Sequence, residues 1–376
     1  MNRYLLTVPT MFGLEALVAD EIRSLGYETT AVEDGKVTFE GDEEAICVAN
    51  INIRTGERVL VKLAEFRAES FEDLFQGVKK IDWNKWIGAN DAFPVKGYAL
   101  KSKLHSVPDC QAIVKKAVVE KLRQTYAVTR FEETGPKYQI QFSIMKDIAI
   151  IYLDTSGDPL YKRGYRTKSN DAPLRETLGA AIVRLSRWRG DSRPLFDPMC
   201  GSGTLAIEAA MLAVNIAPGT NRKFAAEQWR QIDKSLWSDI RQEARENIDK
   251  EIKPIIYASD VDPKCIEIAK ENAKRAGVEQ YIQFECKDMN DLPPYTEKAT
   301  ILCNPPYGER LMEKKEAEKL YRQMGKKFAQ FNQSAKYIIT SHQGFENFYG
   351  TNADKKRKIY NGMIKCNLYQ YFKTKY

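Results

Sequence analysis

The sequence predicts an α/β fold. The C-terminal half is expected to contain a parallel sheet, and the N-terminal half is expected to consist of small α+β units. A glycine-rich turn follows a short apolar strand and precedes a helix at residues 205–211. Three more apolar strands follow, and each leads into a polar side chain, as strands of a doubly wound sheet do. The first 155 residues alternate short strands with amphipathic helices and carry no such turn. At 376 residues the chain is long for one core, so two or three domains are expected.

The N-terminal half predicts two small α+β units in succession. The first has predicted strands and helices at 3–8, 13–25, 36–39, 42–52 and 58–66, and its expected role is packing and spacing. The second has predicted elements from residue 70 and at 93–103, 108–126, 138–145 and 148–153. Lysines of the second unit either follow the phosphates of a polyanion or form a solvated basic face. They are Lys96, Lys101, Lys103, Lys115 and Lys116.

The glycine-rich turn, Asp197–Thr204, predicts a cofactor site. Such a turn lets a ligand approach the backbone beside the N–H groups that begin a helix. It lacks the third glycine of a dinucleotide site and the lysine of a phosphate-binding loop. Asp197 has the wrong charge for a pyrophosphate and the right charge for an ammonium group, which favours S-adenosylmethionine over NAD or ATP. The residues predicted to bind it here are Asp197, Pro198, Cys200, Gly201, Ser202, Gly203 and Thr204.

Polar side chains also follow the next three strands. A strand at 254–259 ends at Asp260, where a carboxylate can accept both hydroxyls of a ribose. A strand at 282–286 is followed by Asp288, which can accept from an adenine amino group, and the fourth strand ends at Asn304. Four polar strand ends in chain order predict a ligand crevice at the carboxyl edge of the sheet. Asp260, Asp288 and Asn304 complete the predicted cofactor-binding set.

The fourth strand leads into Asn304-Pro305-Pro306-Tyr307-Gly308-Glu309-Arg310. Two consecutive prolines end the strand in a rigid, extended loop. The Asn304 side chain and the backbone carbonyls of Asn304 and Pro305 can accept both hydrogens of a flat amino group, while Tyr307 covers the ring that bears it. This arrangement suits alkylation of a nucleobase amine, and a tight Pro-Pro turn is the structural alternative. The predicted catalytic residues are Asn304, Pro305, Pro306 and Tyr307.

Composition sets wider bounds. Lysine and arginine number 58 against 51 acidic residues, and the net charge of +7 is compatible with a polyanionic partner. Seven cysteines without a Cys-x-x-Cys pair indicate neither a disulfide framework nor a zinc cluster, so no metal site is predicted. They are expected to be reduced thiols in the cytoplasm. The sequence shows no secretory h-region and no long uncharged apolar run, so neither export nor membrane insertion is expected.

Asp197–Thr204 followed by Asn304–Arg310 resembles the class I S-adenosylmethionine-dependent methyltransferases that modify base amines. More narrowly, the chain resembles the THUMP-domain RNA methyltransferases of the guanine-N2 branch, through residues 162–166, 172–178 and 216–229. The resemblance implies a Rossmann-like class I methyltransferase domain behind an RNA-binding half, which is ferredoxin-like plus THUMP. The implied segments are 1–66 (ferredoxin-like), 67–155 (THUMP), 156–168 (linker) and 169–376 (methyltransferase).

The implied substrate is rRNA or tRNA. Basic residues just before the methyltransferase domain either hold RNA backbone or form a charged linker, and Arg163, Arg166 and Arg310 are the predicted substrate contacts. Gly203 and Asp260 stand 57 positions apart, against roughly 20 in a plain βαβ unit. The excess, residues 217–247, includes Trp229 and Trp237, and an insertion at the edge of a nucleotide site suits substrate recognition.

The sequence therefore predicts methyl transfer to guanine N2 in RNA. No histidine or cysteine stands in the 304–310 loop, which disfavours a covalent mechanism at cytosine C5. Adenine-N6 methylation of RNA or DNA stays open, because an Asn-Pro-Pro-Tyr loop serves either amine. A non-catalytic RNA-binding or assembly protein with a vestigial cofactor site is a further alternative, although the intact strand-end residues argue against decay. The RNA, the nucleotide, the number of methyl groups and the oligomeric state also stay open.

Overall fold

The computed structural model describes residues 3–166, 174–307 and 314–372. The chain divides into two units, and each has its own seven-stranded sheet within the described residues. The first unit comprises Met1–Thr10, Ala19–Leu160 and Lys223–Gln242, and the second comprises Met11–Val18, Tyr161–Arg222 and Glu243–Tyr376.

The N-terminal elements follow the predicted order of strands and helices, except that strand β2 was not predicted. They are β1 (Tyr4–Pro9), α1 (Glu15–Ser24), β2 (Thr29–Glu33), β3 (Lys36–Gly41), α2 (Glu43–Asn52), β4 (Leu60–Arg67), α3 (Phe71–Lys79), β5 (Val95–Leu100), α4 (Val107–Arg123), β6 (Gln139–Met145) and β7 (Ile148–Asp154). Local capping explains where two helices begin: Ser70 and Asp73 form a capping box at α3, and Asp42 caps α2 by accepting from the Ala45 N–H.

The two predicted α+β units share one sheet, in the order β2-β3-β1-β4-β7-β6-β5. The joint is the antiparallel pair β4 and β7, which aligns Leu60 with Asp154 and Arg67 with Ile148. Only β5 and β6 pair in parallel in this sheet, as the crossover through α4 requires. The two predicted α+β units are therefore continuous through backbone hydrogen bonds.

The second unit contains the predicted α/β domain. Its elements are α5 (Glu176–Ser186), β8 (Leu195–Asp197), α6 (Thr204–Ala213), β9 (Ile256–Asp260), α8 (Pro263–Ala276), β10 (Ile282–Cys286), β11 (Thr300–Cys303), α9 (Lys314–Ala329), β12 (Ala335–Thr340), α10 (Phe345–Tyr349), β13 (Lys355–Asn361) and β14 (Ile364–Tyr371). A further helix, α7 (Lys234–Glu246), begins in the insertion between α6 and β9.

The strand order β10-β9-β8-β11-β12-β14-β13 makes this a doubly wound sheet, which confirms the predicted fold class. Strands β8 to β12 are parallel, and β14 runs antiparallel to β12. The chain leaves β8 toward β9 on one side and returns to β11 on the other. The carboxyl ends of β8 and β11 therefore flank the topological switch point, where such sheets bind ligands.

Both faces of this sheet are covered. Buried side chains of α5, α6 and α8 form one core, and those of α9 and α10 form the other. On α9 the buried residues Ala317, Tyr321, Met324 and Phe328 recur at helical spacing. Gly325 lets α10 approach closely, because a Cβ there would lie 1.9 Å from the Tyr349 carbonyl oxygen.

The insertion differs from expectation. Residues 223–242 group with the first unit, and Trp229 is buried there, stacked on Tyr138 at 4.6 Å between ring centroids. The Trp229 indole N–H donates to the Lys137 carbonyl at 2.9 Å, and Trp237 is buried against Phe224. The two tryptophans therefore serve packing, and their rings do not offer a surface to a base.

The start of the predicted linker is packed. Ser156 is fully buried, and its hydroxyl donates to the Asn50 side chain at 2.6 Å. The Asp154 carboxylate accepts from the backbone N–H groups of Ser156 and Gly157. The boundaries of the four segments stay a prediction. No helix in the described ranges is long and apolar enough to cross a membrane.

Candidate cofactor and amine site

The glycine-rich turn is folded as the sequence predicts, between β8 and α6. Gly201 and Gly203 have φ angles of +52° and +84°, in the left-handed region that glycine favours. The Gly203 N–H donates to the Cys200 carbonyl at 2.8 Å, and Gly203 is the N-cap of α6. A Cβ on Gly203 would lie 3.1 Å from the Ala269 Cβ, so α8 packs directly against the turn.

Asp197 ends β8 as a carboxylate with 1% of its surface exposed. Neither carboxylate oxygen accepts a hydrogen bond of normal geometry among the described residues, and the nearby backbone N–H groups are not well aligned with it. Burial, followed by the charge of Asp260, raises the pKa of Asp197 to about 8, and the backbone N–H groups of Met199 and Ala206 oppose the shift. A buried carboxylate without a donor is costly unless a ligand supplies one. The ammonium of a methionine-like group would supply both a charge and donors.

Asp260 ends β9 and braces the turn. Its Oδ2 accepts from the Gly201 N–H at 2.9 Å, and its Oδ1 accepts from the Asp262 N–H at 3.0 Å. Each carboxylate oxygen has a second lone pair, so hydroxyl groups of a ribose can still be accepted. Beyond β10, Asp288 is exposed, and its Oδ1 accepts from the backbone and side chain of Asn290.

The Asn304–Tyr307 loop leaves β11 beside this turn. Strand β11 pairs with β8, and burial raises the pKa of the Cys303 thiol, with Asp197 and Asp260 contributing next. The Tyr307 hydroxyl donates to the Asn304 Oδ1 at 2.7 Å, and the Tyr307 ring packs on the core. In this structure Tyr307 thus orients Asn304, whereas the sequence predicted that it would cover a base.

Two supporting residues escaped the sequence reasoning. Asn272 on α8 is buried, and its Nδ2 donates to the Ser202 carbonyl at 3.0 Å, which fixes the turn from below. Tyr321 on α9 donates to the Pro306 carbonyl at 2.9 Å. The sequence signal that could have identified them is a single polar side chain on the otherwise apolar face of α8 and of α9.

Burial makes the thiols near the site poor nucleophiles. Burial raises the pKa of Cys200 well above its ordinary value, and the charges of Asp197 and Asp260 add to the shift. Cys303 is fully buried and shifts the same way. Within the described residues, no group of three or more His, Cys, Asp or Glu could hold a metal ion.

The predicted substrate arginines have different positions. Arg163 is buried, with its Nε 3.5 Å from the Glu208 Oε1, so it is not placed to reach a phosphate. Arg166 is partly buried and donates to the Thr204 hydroxyl at 2.5 Å, beside Glu176. Arg310 lies outside the described residues, as do Gly308, Glu309 and residues 167–173. Among the predicted lysines, Lys103 pairs with Glu69 and Lys115 with Glu133, whereas Lys96 and Lys101 are exposed.

Comparisons with known proteins agree with this architecture. Residues 6–60 match the model described as the RlmL ferredoxin-like domain, and residues 68–154 match the THUMP domain. Residues 163–370 match the RMKL-like methyltransferase domain, UPF0020. Fold, site and matches define an S-adenosylmethionine-dependent methyltransferase that carries a THUMP domain. More particularly, the chain belongs to the UPF0020 family of RMKL-like methyltransferases.

Two curated relatives cover nearly all of this chain. YpsC of Bacillus subtilis (strain 168), which carries a provisional RNA methyltransferase name, is 48% identical over 99% of this chain and 97% of its own length. Ribosomal RNA large subunit methyltransferase K/L of Psychromonas ingrahamii is 36% identical over 97% of this chain. The chain spans 49% of that K/L protein, about half its length.

Two solved structures are close to this one. SMU.472, solved in complex with SAH, has a TM-score of 0.92 at 40% identity, covering 100% of both chains. A protein of Listeria monocytogenes (str. 4b F2365), named as a predicted N6-adenine-specific DNA methylase, has a TM-score of 0.93 at 42% identity, covering 99% of this chain and 97% of its own. The cofactor of this family member is S-adenosyl-L-methionine, as the glycine-rich turn and Asp197 predicted.

Proposed function

We propose that the protein methylates the exocyclic N2 amine of guanine in RNA. The observation that carries the proposal is the loop Asn304–Tyr307 at the end of β11, next to the buried Asp197 at the end of β8. An amine-binding loop beside a cofactor turn brings acceptor and donor together at the switch point of the sheet.

The chain's own residues would bind and aim the amine. The Asn304 Oδ1 has two lone pairs: one accepts from Tyr307, which leaves the other for an amine hydrogen. The Pro305 carbonyl would accept the second hydrogen. Guanine N2 is a poor nucleophile because its lone pair is delocalised into the ring. Accepting its hydrogens raises its electron density, and most of the rate gain would come from orientation.

The cofactor residues would hold the donor in place. Asp197 would bind the ammonium, Asp260 the ribose hydroxyls and Asp288 the adenine amine, with Gly201 and Gly203 allowing close approach of the backbone. S-adenosylmethionine supplies the methyl group as an electrophile on a sulfonium. No base is required in the loop, because the methylated amine can lose its proton to solvent after transfer.

RNA as the substrate is supported by the THUMP match at 68–154 and by the RNA methyltransferase names of the curated relatives. K/L proteins are about twice as long as this chain, so ribosomal RNA as a substrate of this chain is itself a proposal. Adenine N6 is the second candidate, and the name given to the Listeria structure favours it. The loop chemistry accommodates either amine.

The test is methyl transfer from labelled S-adenosylmethionine to RNA and, in parallel, to DNA, both from cells that lack the protein. Nucleoside digestion then identifies the labelled base. Label in N2-methylguanosine from RNA, absent with an Asn304→Ala variant, is the expected result. Label in N6-methyladenosine, or in DNA alone, would overturn the proposed substrate.

A further inference from the structure

We infer that Tyr321 and Thr340 are positioning residues, which hold the Asn304–Tyr307 loop in register for methyl transfer through one buried hydrogen-bond chain. The inference rests on the proposed function, since it takes that loop to be the amine-binding element.

The chain of hydrogen bonds joins three parts of the second unit. The Tyr321 hydroxyl, on α9, donates to the Pro306 carbonyl oxygen at 2.9 Å and lies 3.1 Å from the Thr340 Oγ1. Thr340 ends β12, and its Oγ1 accepts from the His342 backbone N–H at 3.1 Å. Tyr321 and Thr340 are both 0% exposed, so water does not compete for these bonds.

Counting protons fixes the direction of the chain. A phenol has one proton, and the Tyr321 proton goes to the Pro306 carbonyl. The Thr340 hydroxyl must therefore donate to the Tyr321 oxygen, while its own oxygen accepts from the His342 N–H. The result is a run of three bonds in one direction, from the end of β12 to the loop, in which each bond polarises the next.

The hydrogen-bond chain ends at the Asn304–Tyr307 loop, where it fixes the orientation of the Pro306 carbonyl. The Pro306 carbonyl belongs to the peptide that leads into Tyr307, so fixing its direction fixes where Tyr307 begins. Tyr307 in turn donates to the Asn304 Oδ1. Proline rings fix φ at 305 and 306, which leaves the loop few ways to relax locally if the carbonyl is released. Tyr321 thus acts on the amine site through Pro306 and Tyr307, without touching the substrate.

A purely structural role predicts something different. A buried tyrosine hydroxyl needs a partner for stability whatever its neighbours do. Tyr371 provides a matched control: it is buried in the same core, and its hydroxyl donates to the Thr351 carbonyl at 3.2 Å, on a segment outside the loop. Replacing either tyrosine by phenylalanine removes one hydroxyl and keeps the ring.

The experiment compares kcat, KM for RNA, cofactor affinity and Tm in the full-length protein. Tyr321→Phe should lower kcat about tenfold or more, since a small misplacement of reacting groups is costly, with KM and cofactor Kd within about twofold. Tyr371→Phe should leave kcat unchanged. Thr340→Val should lower kcat, whereas Thr340→Ser keeps the hydroxyl and should retain the wild-type kcat. The Tyr321→Phe/Thr340→Val double variant should be no slower than its slower parent, because both residues act through one chain of hydrogen bonds.

Three results would overturn the inference. Tyr321→Phe and Thr340→Val could both retain wild-type kcat while Asn304→Ala is inactive, in which case the proposed function survives and the positioning role does not. Tyr371→Phe could lower kcat as much as Tyr321→Phe does. Additive effects in the double variant would also contradict a single chain. Absence of RNA methylation by the wild-type protein is a distinct outcome, and it would remove the proposed function itself.

Discussion

The Tyr307 hydroxyl donates a 2.7 Å hydrogen bond to the side-chain oxygen of Asn304. Burial, followed by the nearby Cys366 thiol, raises the pKa of Tyr307 well above its ordinary value, so the hydroxyl stays a donor across the physiological range. The bond sets the plane of the Asn304 amide before substrate arrives. Asn304 therefore has its free oxygen lone pair oriented in advance, which is the condition for catalysis by positioning.

Asn304→Ala should lower the single-turnover rate at least about 10²-fold, because the amine loses an acceptor and its orientation. Cofactor affinity, measured by isothermal titration, should change little. Tyr307→Phe is the graded companion: it keeps the loop and the Asn304 oxygen and should cost less than Asn304→Ala. Loss of cofactor binding in Asn304→Ala would show that this side chain mainly holds the cofactor, which is the second role that the sequence predicted for it.

Asp197 should make the stability of the ligand-free protein pH-dependent. Its pKa is raised from 3.8 to about 8 in the folded state, so the folded protein binds a proton that the unfolded chain releases. The free energy of unfolding from this group is greatest below about pH 4 and is lost as pH rises toward 8. Urea titrations across this range should show a steeper decline for wild type than for Asp197→Asn. Equal slopes would contradict the shift.

Cofactor binding should release a proton at neutral pH. An ammonium group favours the ionised Asp197, whereas the ligand-free protein holds this carboxyl largely protonated below pH 8. Calorimetry in buffers of different ionisation enthalpy should therefore give different apparent binding enthalpies for wild type. Asp197→Asn should bind the cofactor at least about tenfold more weakly, through loss of the charge pair, and should show a smaller buffer dependence.

Gly203→Ala should damage the cofactor turn, with Gly277→Ala as its control. Both glycines have positive φ, +84° and +73°, and alanine in that region costs about 1–2 kcal/mol. A Cβ at Gly277 meets nothing within 4 Å, whereas one at Gly203 lies 3.1 Å from Ala269. Urea denaturation should show a lower free energy of unfolding in both variants, but only Gly203→Ala should also weaken cofactor binding. Equal affinities would mean that the turn relaxes freely.

Arg163→Ala should destabilise the fold without weakening RNA binding. The Arg163 side chain pairs with Glu208, which also accepts from the Tyr165 hydroxyl at 3.1 Å, and all three residues are buried. Removing the arginine leaves a buried carboxylate uncompensated, at a cost of about 3–5 kcal/mol. Lys96→Ala, on an exposed position, should leave stability unchanged. If a filter-binding assay shows weaker RNA binding for folded Arg163→Ala, this arginine contacts the substrate after all.

The positions of the strand-end residues were easier to predict than those of the residues that support them, for a physical reason. Glycine at positive φ, consecutive prolines and polar strand ends are local signals, so Gly201, Gly203, Asp260 and Asn304 were predicted at the carboxyl edge of the sheet, where the structure has them. Burial is a property of the whole fold. Arg163, Trp229 and Trp237 looked like substrate contacts by residue type, but tertiary packing buries all three.

The pairing of β4 with β7 was also beyond local patterns, because it joins residues about ninety positions apart. The short edge strand β2, Thr29–Glu33, was missed since it lacks a clear buried face. Asn272 and Tyr321 were missed because one polar atom on an apolar helix face has no partner until the fold supplies it. Most of the features that the sequence did not predict are contacts between residues far apart in the chain, whereas the types of most elements were predicted.

We propose guanine N2 in RNA as the methyl acceptor. The most direct measurement is mass spectrometry of nucleosides from the ribosomal and transfer RNA of cells with and without the gene. Loss of N2-methylguanosine from one RNA species, restored by the wild-type protein and not by Asn304→Ala, is the predicted result. An unchanged N2-methylguanosine content, with loss of N6-methyladenosine or another methylated nucleoside, would contradict it.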